Sequence, residues 1–245
     1  MNNKVIDVEG IIINTKNYGD TSKIIDILTK EYGIIGVMAK GCKSLKSNLR
    51  SVTDKLTYAN FTLFYKKDKL SILSEASIIN NFSNIKKDIE KLSYSSFLLD
   101  LTNQVYKQSN DGDLYTLLIE ALIKINANFN PLVITNIIEL KYLEYLGVMP
   151  NLDGCAICGS KCVITLSSDK GGYLCSKCRI NEPIISDKAI KLVRMYNLVD
   201  ISKISKLDLN KSVIGEVNNF IDLYYDRYTG LYLKSKEFLN KLKAN

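Results

Sequence analysis

The sequence predicts an α+β protein in which a small N-terminal β-barrel precedes an α-helical domain interrupted by a cysteine-rich knuckle. Three observations carry this expectation. Over roughly the first eighty residues, apolar residues alternate or fall in short β-branched runs. From Ile85 onward they recur instead at three- and four-residue steps, the period of a helix with one buried face. Within the helical part, Cys155, Cys158, Cys175 and Cys178 form two Cys-x-x-Cys pairs separated by sixteen residues. At 245 residues and 46% apolar content, the chain can bury a sizeable core and build two or three small domains.

Strands are expected at 5–14, 23–29, 34–40, 56–65 and 70–76. Turn-forming residues separate several of them: Asn17-Tyr18-Gly19-Asp20, Glu31-Tyr32-Gly33 and Lys66-Lys67-Asp68-Lys69. The fourth run alternates plainly, with Ala59, Phe61, Leu63 and Tyr65 on one face and Tyr58, Asn60 and Thr62 on the other. Five short strands in about eighty residues fit a small closed barrel, for which the OB-fold is the natural candidate. Periodicity alone also permits another small barrel, such as an SH3-like one.

Ile85, Ile89, Leu92, Leu98, Leu101 and Val105 mark a helical stripe with one irregular step across Ser96. Asn110-Asp111-Gly112 breaks it, and Leu114, Leu117, Leu118, Ala121, Leu122 and Ile125 define the next helix. Pro131 opens a third helix, expected to run to Leu146 and to end at Gly147. Helical patterning resumes with Asp187 as N-cap and again from about Leu209. The expected domains are therefore a barrel at 1–80, a helical domain at 81–149 and 183–245, and a cysteine segment at 150–182 inserted in it.

Each Cys-x-x-Cys turn can present two thiolates to one ion, and the spacing of the pairs matches the window of tetrahedral zinc sites. Four thiolates leave no open position, so such a Zn2+ holds structure and does not activate water. Two redox dithiols, or four separate buried thiols, are the alternatives at this level. Cys162 and Cys42 lie outside the pattern: Cys162 is a spare thiol or a substitute ligand, and Cys42, set among lysines, is a candidate for oxidation sensitivity.

The net charge of +7 is unevenly placed. Between Lys40 and Lys69, eight basic residues stand against only Asp54 and Asp68, a net +6. Such concentration points to a polyanionic partner. Seven of the eight fall in two groups, Lys40, Lys43, Lys46 and Arg50 in an expected flexible loop, and Lys66, Lys67 and Lys69 on an expected hairpin turn; Lys55 is the eighth. Only four basic residues are arginine, and lysine lacks the fork that reads guanine, so phosphate contact without sequence readout is expected. Tyr58, Phe61, Phe64 and Tyr65 are candidate stacking platforms, although one face of their strand must be core.

The chain has no histidine, which excludes hydrolases with an imidazole base and histidine-ligated catalytic metals. It also lacks phosphate-binding glycine loops and nucleophile elbows, so a non-enzyme is expected. No apolar stretch reaches bilayer length and no signal peptide is visible. No membrane partner is therefore expected, and a reducing cytoplasm suits metal-binding thiols.

Several ordered fragments carry a resemblance across nearly the whole chain. They are Glu9-Gly10-Ile11-Ile12, Tyr18-Gly19-Asp20, Thr29-Lys30-Glu31-Tyr32-Gly33 and Ala39-Lys40-Gly41 in the first part. Further on come Leu143-Glu144-Tyr145-Leu146-Gly147-Val148-Met149-Pro150-Asn151-Leu152 ahead of Cys155, Gly171-Gly172 ahead of Cys175, and Leu233-Lys234-Ser235-Lys236-Glu237-Phe238-Leu239. In their order and spacing they resemble the RecO family of bacterial recombination mediators. Asp20 departs from the glutamate often found there in that family. The resemblance implies binding of single- and double-stranded DNA, annealing of complementary strands, and loading of RecA onto strands coated by single-stranded-DNA-binding protein, together with RecR. It also implies an OB-type DNA surface, to which the lysine groups above would belong, and contact of the helical domain with the C-terminal tail of the coating protein. A cytoplasmic, nucleoid-associated place follows from it. The rival expectation is a zinc-stabilised transcription or translation factor that binds RNA or duplex DNA.

Overall fold

Period-two alternation becomes five strands: β1 (Lys4–Tyr18), β2 (Ser22–Thr29), β3 (Gly33–Ala39), β4 (Tyr58–Tyr65) and β5 (Ser71–Asn80). The structure is a computed structural model and describes residues 4–244. The strands run in the order β1-β2-β3-β5-β4, and β4 pairs back onto β1, closing a barrel. All neighbours are antiparallel except β3 and β5, which meet in a short parallel pairing of Val37 with Ser71 and Met38 with Ile72. A register shift between Ile12 and Asn14 bends β1, so that Gly10 and Ile11 pair with β2 on one side and with β4 on the other. Gly10 is required by this crowding: a Cβ there would lie 2.6 Å from Ile27 Cγ2 and 2.9 Å from the Leu28 carbonyl.

Ile6, Val8, Ile12, Ile25, Ile27, Ile35, Val37, Phe61, Leu63 and Leu73 fill the barrel. Ala59, Phe61 and Leu63 thus point inward as their alternation demands, and Tyr65 packs against the same cluster. β1 and β5 outrun the expected spans because the ladder carries polar residues as readily as apolar ones. Lys16 pairs with Ile24 and Asn17 with Lys23. Cys42 is also core, 1% exposed, which removes it from the surface where its lysine neighbours suggested reactivity.

The single stripe expected from Ile85 to Val105 is two helices, α1 (Ser83–Lys86) and α2 (Ile89–Ser109). Asp88 separates them because its carboxylate caps α2, accepting from the N–H groups of Glu90 at 3.0 Å and Lys91 at 3.1 Å. Ser96, the irregular step, lies inside α2. Asn110, left-handed at φ 52°, turns the chain toward α3 (Asp113–Asn126).

α4 (Pro131–Tyr145) starts as expected, with Pro131 in the first turn and the Asn130 side chain accepting from Val133 N–H. A two-stranded hairpin, β6 (Thr165–Ser167) and β7 (Gly172–Leu174), lies in the cysteine segment. Then follow α5 (Asp187–Leu198), α6 (Lys211–Tyr228) and α7 (Lys234–Ala244). Ser186, one residue before the expected Asp187, is the N-cap of α5: its hydroxyl accepts from Ala189 N–H, leaving Asp187 in the first turn. Val133 through Leu140 are buried on every side of α4, so it is the central helix of its unit. Tyr225 of α6 donates to the Glu139 carbonyl at 2.8 Å, and Lys141 to the Asn197 carbonyl at 3.3 Å.

Two compact units result. One holds the barrel, α1 to α3 and the chain from Ser235 onward; the other is Asn128–Lys234.

Candidate metal centre and barrel surface

The second unit brings the four cysteines together through local backbone pairing. The Asn151 segment runs beside β7: its N–H donates to the Gly171 carbonyl at 2.8 Å, and Tyr173 N–H donates to its carbonyl at 3.0 Å. Gly172 makes this approach possible, since a Cβ there would lie 2.3 Å from the Asn151 carbonyl oxygen. Ala156 N–H donates to the Tyr173 carbonyl at 2.7 Å, which sets the first cysteine turn alongside the strand that leads into Cys175. Gly159 N–H to the Cys155 carbonyl, at 2.8 Å, closes the first turn; Cys178 and Arg179 N–H to the Cys175 carbonyl, at 3.2 and 3.1 Å, close the second.

The Sγ atoms of Cys155, Cys158, Cys175 and Cys178 all lie within 4.8 Å of one another, so this set could hold a metal ion. Cys158 and Cys175 are 3.6 Å apart, too far for a disulfide and close to the ~3.8 Å edge of a tetrahedron with ~2.3 Å metal–sulfur bonds. The donor set therefore fits the closed thiolate site that the spacing predicts. Cys155 and Cys175 are buried, while Cys158 is exposed and Cys178 intermediate. Cys162 is exposed and outside the cluster.

Electrostatics at the site favour a cation. Burial pushes the Cys155 thiol up, but N–H groups of Cys158, Cys175 and Ile157 outweigh it and bring the thiol to about 6. Cys175 is lowered chiefly by the N–H of Cys178, against burial. Cys178 is pushed up to about 12, by the Cys158 thiol first and then by burial and the other sulfurs. The first thiolates form easily and the last does not, which is the situation a divalent ion resolves. The knuckle is tied to its unit by Tyr173 donating to the Ile190 carbonyl at 2.7 Å and by Arg227 paired with Asp169 at 2.6 Å.

In the first unit, Lys40, Lys43, Lys46, Arg50, Lys67 and Lys69 are exposed, and Lys66 is partly so. Among the described residues, none of the seven has a carboxylate within ion-pairing distance. The stretch expected as a flexible basic loop is instead a succession of turns. Lys43 N–H is held by the Thr21 carbonyl, Arg50 N–H by Ser47 and Leu56 N–H by Ile12, and Val52 and Leu56 are buried. The two lysine groups lie on either side of β4 along the chain, and the parallel pairing of Val37 with Ser71 and Met38 with Ile72 sets the end of β3, before Lys40, beside the start of β5, after Lys69.

Across the barrel strands runs an outward row that the sequence reading missed. Cross-strand pairs link Val5 to Phe64, Phe64 to Ile72, Ile72 to Met38 and Met38 to Ile24. Each of these side chains is partly or well exposed. Their signal was hidden because continuous apolar runs in β2 and β3 do not reveal which members face out. Of the four candidate aromatics, Phe61 is fully buried core. Tyr58 is also covered: it stacks on Phe82 at 6.2 Å, and its hydroxyl donates to Glu9. Phe64, 39% exposed, and the half-buried Tyr65 stay available.

Barrel and helical unit together define a class of protein in which a basic β-barrel accompanies a helical unit that carries four clustered thiols able to hold a metal ion. The chain belongs to the RecO family: the family model described as Recombination protein O N terminal matches residues 1–82, and that described as Recombination protein O C terminal matches 86–237. Proteins named DNA repair protein RecO are similar along almost their full length. That of Halalkalibacterium halodurans is 34% identical over 241 residues, covering 96% of this chain and 94% of that protein. The Listeria monocytogenes protein is 34% identical over 242 residues (96% and 93%), and the Bacillus subtilis protein 32% over 241 (96% and 94%). No helix among the described residues is long and apolar enough to cross a membrane.

Proposed function

We propose that this protein is a non-enzymatic mediator of recombinational DNA repair that binds single- and double-stranded DNA and anneals complementary strands. In this reading it also helps load RecA, together with RecR, onto strands coated by single-stranded-DNA-binding protein. The observation that carries it is the barrel exterior, where an apolar row accompanies two lysine groups free of carboxylate partners. The strand order β1-β2-β3-β5-β4 supports an OB-fold, which binds single strands on its β2–β3 face. Lys40, Lys43, Lys46 and Arg50, and Lys66, Lys67 and Lys69, would hold phosphates. Two polyanions approach on such a surface because each lysine–phosphate contact releases counterions, and no base is read.

In the helical unit we assign the four cysteines to a structural Zn2+. The ion would supply four bonds that clamp two backbone turns, and no step of DNA binding passes through it. The same unit would contact the acidic, apolar tail of the coating protein, in the bacterial cytoplasm at the nucleoid.

The test is annealing of complementary oligonucleotides coated with the cognate single-stranded-DNA-binding protein, followed across a salt series. Acceleration that fades steeply with salt is expected. No acceleration by a folded, metal-loaded sample at any salt concentration overturns the mediator reading.

A further inference from the structure

A cleft of about 400 Å³ opens on the barrel where the β2–β3 turn meets the β4–β5 turn. Tyr32, Ile34 and Tyr65 line it, and Lys66 and Lys69 stand on it. Gly36 also lines it, and a Cβ there would lie 3.1 Å from Leu70 Cδ2. Resting on the DNA-binding reading above, we propose that this cleft is a subsite for one unpaired nucleobase, stacked on Tyr32 with its flanking phosphates on Lys66 and Lys69.

Three features favour a base over a general polyanion. Tyr32 is 37% exposed and sits against Tyr65, ring centroids 5.3 Å apart at 54°, so one ring braces the other; Tyr32 also borders a second cavity that Asp7, Glu9 and Glu31 line. The turn that presents it is fixed: Tyr32 N–H donates to the Thr29 hydroxyl at 3.1 Å, and that hydroxyl donates to the Gly33 carbonyl at 2.9 Å. A rigid aromatic loses little freedom on stacking, and such stacking is tolerant of sequence. Lys66 and Lys69 outnumber Asp68 among the described residues that line the cleft, so its mouth is cationic, while the Asp26 carboxylate lies 4.0 Å from where a Cβ on Gly36 would be. Asp68 would repel a phosphate driven into the cleft itself, which leaves that space to the base and the rim to the backbone. A duplex cannot use the subsite, because its bases are already stacked and paired.

The chain contains no tryptophan, so Tyr32→Trp places a unique reporter at the subsite. Titration with a dodecamer of thymidylate should quench its emission, whereas a duplex of equal length should bind without comparable quenching. Tyr32→Ala should weaken single-strand affinity about tenfold, equivalent to ~1.4 kcal/mol, with the salt slope unchanged. Lys69→Ala should instead flatten that slope by about 0.7. Tyr32→Phe should bind like the parent, since stacking needs no hydroxyl. If Tyr32→Ala binds single strands as the parent does, or the emission of the Tyr32→Trp variant responds equally to duplex, the subsite is refuted while the DNA-binding reading stands. If the parent binds neither form, both fall.

Discussion

Two phenylalanines three residues apart on β4 have opposite duties. Phe61 is fully buried inside the barrel, and Phe64 is 39% exposed in the outward row. Phe61→Ala should cost ~3–5 kcal/mol through lost burial and the cavity left behind. Phe64→Ala should cost ~0.5 kcal/mol or less in stability, yet weaken single-strand binding. Urea unfolding of both variants, with oligonucleotide titration of the second, checks the pair; equal stability losses would refute the division of faces. At this scale the inward faces of β4 were legible because polar and apolar residues alternate there. Ile24, Met38 and Ile72 were not, since apolar neighbours (Ile25, Val37 and Leu73) hide the alternation. Nor was the burial of Cys42, whose lysine neighbours on the chain said nothing about the side it turns inward.

Helix limits and the knuckle belong to the scale of elements. Asp88 starts α2 through its carboxylate, which its hydrogen bond from Lys91 N–H holds below the ordinary range. A depressed carboxylate contributes stability that is present above its unfolded value of ~3.9 and is lost as pH falls through the folded one. Asp88→Ala should therefore lower stability by about 1 kcal/mol at pH 7, with the gap to the parent closing on acidification. Urea midpoints at pH 7 and pH 3 measure it, and a gap that persists in acid would rule out the charged cap. The clustering of the four cysteines was legible, because two short spacings and one long one are enough to nominate a tetrahedral set. Hidden from the sequence was what positions them: Asn151 pairing beside β7 across a glycine that admits no side chain. Cys175→Ser should reduce bound zinc and lower the melting temperature by roughly 4–12 °C, for a loss of ~2–3 kcal/mol. DNA binding below that transition should survive. Full metal content with unchanged melting would sink the structural role.

For the whole molecule, local patterns revealed the α+β class and a boundary near residue 80 where the two family models also divide, while packing groups the elements differently. The change of period at Ile85 separates strands from helices, yet α1, α2 and α3 belong with the barrel. Period reports which side of an element is buried and carries no label for the partner that buries it. The pairing of Ser235 with Asp100 of α2, at 2.8 Å, is a contact across 135 residues that no local pattern announces. The segment from Ser235 onward belongs to the barrel unit, so Asn128–Lys234 is spliced between two parts of one unit. A ribosome makes the chain from its N-terminus at ~5–20 residues per second, so roughly a hundred residues separate the emergence of the two parts by about 5–20 s. During that interval the barrel unit must wait, its berth at Asp100 open, while the inserted unit can fold on residues already made.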